Sequence, residues 1–223
     1  MNVLVLSAHP DDETLGAGAT LLGHRDRGDS IAWLVATRAY APAWPVDVVA
    51  EKLREVERVA EAYGVRELVH LEHQAARLDT VPVAELMAPI RALVERHRPE
   101  VVYLPHPGDI HTDHGALFEA ATASVRAFRS VQDGLRRIAC YETISSTDSA
   151  PPQRLPRFTA NVFQDVTGLL ERKLEVMALY ATEQQPDPLP RGPSAIAALA
   201  RLRGATVGVE HAEAFELVRE VLR

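Results

Sequence analysis

The 223-residue chain has a single cysteine, Cys140, which excludes an intrachain disulfide and any zinc site built from thiolates. Long apolar runs are missing as well. No stretch approaches the roughly 20 residues that a membrane-spanning helix needs. The N-terminal run Val3-Leu4-Val5-Leu6 is too short for a secretory signal and lacks its basic flank, so a cytoplasmic protein is expected. There is no excess of positive charge. The net charge of -7 argues against nucleic acid or an anionic membrane as partner. Gly16 and Gly18 follow the first apolar run, but the full G-x-G-x-x-G fingerprint of a dinucleotide site is absent. No internal repeat or low-complexity tract is evident.

What is present is an alternation of strand and helix patterns. Strands are expected over residues 2–8, 30–37, 66–72, 100–105 and 137–143. Helices are expected between them, over residues 14–27, 47–63 (stopped by Gly64), 82–99 and from 111 to about 130. Such alternation implies a Rossmann-like three-layer α/β fold with a mostly parallel sheet in the order 3-2-1-4-5. The Pro-rich segment at 149–156 then breaks the pattern. Residues 1–148 therefore read as a core. Residues 149–223 read as a small C-terminal cap completing the pocket of one domain, with a strand at 158–166, a helix at 167–181 and a short helical tail.

Two polar clusters stand out, each just after an apolar strand: His9-Pro10-Asp11-Asp12-Glu13 and His111-Thr112-Asp113-His114. In the order 3-2-1-4-5, strands 1 and 4 flank the point where the winding reverses, and ligands bind beyond their carboxyl ends. The topology thus brings the clusters together. His9 and Asp12, three apart in a tight turn, can share a metal ion while Asp11 points elsewhere. One further histidine would complete two imidazoles and a carboxylate, with coordination positions left open. Asp11 beside such an ion suits a general base, and Asp113 suits the second-sphere task of orienting an imidazole. Spacing alone leaves open whether His111 or His114 is the third ligand. It also leaves zinc against Fe2+ open, since two histidines and a carboxylate form the facial triad of non-haem iron sites too. The His/Asp set could instead hold a structural metal in a non-catalytic binding module, but Asp11 would then have no task.

The run Ala8-His9-Pro10-Asp11-Asp12-Glu13 with Leu15-Gly16-Ala17-Gly18, and the run Asp109-x-His111-x-Asp113-His114, resemble the two signatures of the PIG-L/LmbE-like N-deacetylases. Weaker landmarks extend the likeness along the chain: Arg54-x-x-Glu57, Tyr141-Glu142, Asn161, Asp165, Lys173 and Ala212-Glu213-Ala214-Phe215. The resemblance implies a zinc hydrolase that removes acetyl from an N-acetylglucosamine-type sugar or its conjugate, with an amidase on a thiol conjugate or natural-product intermediate as the alternative. It implies that His9, Asp12 and His114 bind the metal. Asp11 would be the base, and His111, supported by Asp113, the acid or electrophilic partner. Arg54 is expected to contact sugar hydroxyls, and the aromatic pair Tyr40 and Trp44 either to form a platform for a sugar ring or to bury against another subunit. Several relatives assemble as trimers or hexamers, and the resemblance leaves the assembly of this chain open between a monomer and such a homo-oligomer. The chain departs from the pattern at Thr112, where proline is usual, and at Thr37-Arg38-Ala39-Tyr40, which lacks the usual glycine–acid pair.

Overall fold

The computed structural model describes residues 1–125, 134–153 and 156–222. Five parallel strands are built from β1 (Asn2–Ser7), β2 (Ser30–Arg38), β3 (Val65–Gln74), β4 (Val101–Pro105) and β5 (Arg137–Tyr141). The helices between them are α1 (Asp12–Asp26), α2 (Val46–Tyr63), α3 (Val83–His97) and α4 (Thr112–Ser124). Gly64 ends α2 in the left-handed region at φ 65, where glycine carries no Cβ penalty. The expected extension of α4 to residue 130 lies outside the described residues.

The remainder of the chain departs from the expected short helical tail. It forms β6 (Val162–Asp165), α5 (Leu170–Met177), α6 (Pro193–Val207) and β7 (Ala212–Glu220). β7 runs antiparallel to β5 and β6, so the described sheet has the order β3-β2-β1-β4-β5-β7-β6. The order 3-2-1-4-5 holds for the parallel part, and the tail adds two strands to the same sheet. Acidic and basic residues interleave with the apolar positions of β7, which disguises it in sequence, while pairing to β5 satisfies its backbone.

The central strands are buried on both faces, as parallel sheets require. Val3 and Val5 of β1 join a core with Leu21, Trp33, Val56 and Tyr141 on one side. Leu4 and Leu6 point the other way, into a core with Leu34, Ile90, Leu93 and Leu117. Helix α1 lies unusually close to the sheet. A Cβ on Gly16 would stand 2.2 Å from Cδ2 of Tyr141, so only glycine fits there. The Tyr141 hydroxyl in turn donates to the Leu6 carbonyl at 2.8 Å.

A buried ion pair fixes α1 from its other side. Lys173 Nζ donates to Glu213 Oε1 at 2.6 Å and to the Leu15 carbonyl at 2.8 Å. Glu213 also accepts the backbone N–H groups of Ala19 and Thr20. Several of the weaker sequence landmarks therefore hold the helix whose first turn carries the polar cluster.

Candidate metal centre

The turn after β1 and the start of α4 meet beyond the carboxyl ends of β1 and β4, on the floor of a cavity of about 470 Å³. Asp11 caps α1 with φ 100, a left-handed conformation costly for a non-glycine residue and held by its surroundings. This bend separates the side chain of Asp11 from that of Asp12. The Asp12 carboxylate accepts the His9 backbone N–H on Oδ2 at 2.8 Å. The same oxygen lies 3.4 Å from His9 Nδ1, and its Oδ1 lies 3.3 Å from His114 Nε2. His9, Asp12 and His114 each offer one ligand atom, all within 4.8 Å of one another. A carboxylate buried between two imidazoles is the donor chemistry of a divalent transition-metal site, so these residues fit such an ion. His9, His111 and Asp113 make a second grouping of the same compactness.

Each outer imidazole nitrogen has an acid behind it. His9 Nε2 lies 2.9 Å from Asp113 Oδ2, whose carboxylate also accepts N–H groups from Ala76 (2.7 Å) and Leu78 (2.9 Å). His114 Nδ1 lies 3.1 Å from Asp109 Oδ2, off the line of a formal hydrogen bond. The structure thus aims Asp113 at His9, correcting its expected support of His111, whose Nδ1 is 4.0 Å away. His111 Nδ1 instead accepts the Asp113 backbone N–H at 3.3 Å, capping α4. That contact assigns the proton of a neutral ring to Nε2.

The electrostatics of these side chains follow from their crowding. Burial works against charge on His9, but hydrogen bonds to Asp113 and Asp12 outweigh it and lift its pKa to about 9. Burial opposes charge on His114 too, and Asp12 and Asp109 raise it to about 10. Burial followed by the neighbouring His9 and His114 charges pushes His111 down to about 4. Burial also raises Asp11 well above the usual carboxylate range, with Asp12 and Glu183 adding to it and Arg191 opposing.

The residues expected to touch substrate divide. Trp44 lines the cavity, and Tyr40 meets it edge-on at 5.7 Å between ring centres. Arg54 does not reach the cavity. Its exposed guanidinium pairs with Glu51 at 2.7 Å, and Lys52 lines the wall instead. Two positions apart on a helix are about 200° apart around its axis, which places them on different faces. Sequence reasoning missed Glu183 and Arg191, which line the same wall. They flank a Pro-rich loop, and no motif marks Arg191. Asp109 lies inside the second signature run, and the structure gives it a place there behind His114.

Comparison with known proteins agrees with this architecture. The sequence profile of the PIG-L family, described as GlcNAc-PI de-N-acetylase, matches residues 4–125. A diacetylchitobiose deacetylase of Thermococcus kodakarensis is 23% identical over 224 residues, covering 97% of this chain and 82% of the relative. The crystal structure of a conserved protein from Thermus thermophilus superposes with a TM-score of 0.77 at 24% identity, covering 100% of this chain and 97% of the other. A 4-carboxy-2-hydroxymuconate hydratase from Pseudomonas putida KT2440 has the same fold, with a TM-score of 0.75 at 15% identity and coverage of 100% and 98%. The fold therefore accommodates more than one reaction, and the chemistry must be argued from the site.

Proposed function

The chain belongs to the PIG-L family, and on that premise we propose that it is a metal-dependent hydrolase releasing acetate from an N-acetylated amino sugar or its conjugate. The observation that carries this reading is the compact set His9, Asp12 and His114 beside a separately aimed Asp11 in one cavity. Zinc suits the donors, and Fe2+ is the alternative they also accept. A divalent ion there supplies Lewis-acid polarisation and a water of lowered pKa.

The chain's own groups divide the remaining work. His9, Asp12 and His114 hold the ion, with Asp113 and Asp109 orienting the two imidazoles. Asp11 takes a proton from the attacking water. A carboxyl whose pKa burial has raised can then return that proton to the leaving amine. His111, neutral because its pKa is low, presents Nε2–H to the carbonyl oxygen as negative charge develops there. The products are acetate and the free amine. Trp44 offers an apolar face to a sugar ring at the cavity wall. Among the described residues no helix is long and apolar enough to cross a membrane, and a small soluble N-acetyl sugar fits a cavity of this size.

Acetate release over a panel of N-acetylglucosaminides, with and without added zinc, tests the reading. Metal-stimulated acetate from at least one member is expected. No acetate from any of them, with either zinc or Fe2+, overturns it.

A further inference from the structure

We propose that Arg191 is a positioning residue for the reaction, clamping one oxygen of the Asp11 carboxylate so that the other is left to meet the water. This rests on the hydrolase reading above. Arg191 Nη1 donates to Asp11 Oδ2 at 3.0 Å and to Glu183 Oε2 at 2.5 Å. Among the described residues, the carboxylate hydrogen bond of Asp11 falls on Oδ2 alone, and Oδ1 has no protein partner.

The clamp is itself held. Glu183 is engaged from the opposite side by Lys52 of α2. Arg191 donates its backbone N–H to Gln185 Oε1 at 3.1 Å, and its carbonyl accepts from Gln185 N at 3.4 Å. Asp187 Oδ1 accepts both the N–H and the hydroxyl of Ser194, which ties the loop to the first turn of α6. A Cβ on Gly192 would sit 2.6 Å from Asp187 Oδ1, so the turn closes tightly just after Arg191. The loop therefore delivers a braced guanidinium to the cavity wall.

Its orientation is set by the two carboxylates. Arg191 Nε is buried without a hydrogen-bond partner among the described residues, so the group does not maximise its own hydrogen bonding. Without the arginine, Asp11 and Glu183 would face each other as like charges, and Asp11 would be free to turn. Asp11 sits at a strained φ of 100, and small misplacements of a reacting group can cost about 100-fold in rate.

The test compares Arg191→Ala and Arg191→Lys with wild type in metal-loaded protein. Arg191→Ala is expected to keep its metal and its KM but to lose about 10- to 100-fold in kcat. Millimolar guanidinium should restore part of that loss, and Arg191→Lys should retain more activity than the alanine variant. An unchanged kcat, or a loss confined to KM and insensitive to guanidinium, overturns the proposal. A melting cycle of Asp11→Asn, Arg191→Ala and the double variant reads the pairing without turnover. The two Tm shifts should be non-additive, and additive shifts overturn the clamp even if wild type releases no acetate. Absence of wild-type activity with a non-additive cycle would instead count against the hydrolase reading alone.

Discussion

The Asp109 carboxylate stands 3.1 Å behind Nδ1 of His114, on the far side of the ring from Asp12, which lies 3.3 Å from Nε2. Asp109 is fully buried and is itself fixed by the His111 backbone N–H and by the hydroxyls of Ser146 and Thr147. Burial raises its pKa, but His114 and these donors outweigh that and hold it low, so it stays ionised behind the imidazole.

Removing this support should weaken the metal site without unfolding it. Asp109→Ala is expected to lower metal affinity about 10- to 100-fold, the usual effect of losing such a partner. Zinc titration against a competing chelator reads the change, and wild-type affinity in the variant would remove Asp109 from this role.

The two histidines at the start of α4, His111 at its cap and His114 in its first turn, should separate by phenotype. His114→Ala should lose the ion, whereas His111→Ala and Asp11→Asn should retain it. The latter two should lose about 10²- to 10⁴-fold in turnover, the range for general acid–base groups. Elemental analysis alongside acetate assays decides, and the reverse metal pattern would exchange the two histidines' assignments.

Metal binding should expel protons. The metal-free pKa values of about 9 for His9 and about 10 for His114 mean that both rings are protonated at pH 7. Ligation needs neutral imidazoles, so about two protons should leave per ion, and affinity should rise with pH. Calorimetry in buffers of different ionisation enthalpy counts them. In the metal-free protein the sign is opposite. A histidine pKa raised on folding contributes stability fully below the unfolded value near 6.5, and loses it as pH rises through 9 to 10. The Tm of the metal-free protein should accordingly fall across that window, and a flat Tm would contradict the pairing of these rings with Asp12, Asp109 and Asp113.

Glu213→Ala should be strongly destabilising, because it strands the buried Lys173 ammonium and removes the carboxylate that accepts the Ala19 and Thr20 N–H groups inside α1. Breaking a buried pair from one side costs about 3–5 kcal/mol. Denaturant melts measure it, and a loss below about 1 kcal/mol, the scale of a surface pair, would argue that the pair is solvated.

The primary sequence by itself determined the alternation of β1 through β5 with their helices, and the meeting of His9–Asp12 with His111–His114. Both follow from local periodicity and from the handedness of βαβ connections, which leave one sheet order and one crevice. Only the tertiary structure decided that Asp113 stands behind His9, that Asp109 stands behind His114, and that Arg191 reaches Asp11 from a distant loop. It likewise decided that β7 pairs onto β5 and β6 onto β7. Ring orientations, loop courses and the pairing of β7 depend on contacts between residues far apart in the chain, and no local pattern of residues encodes them.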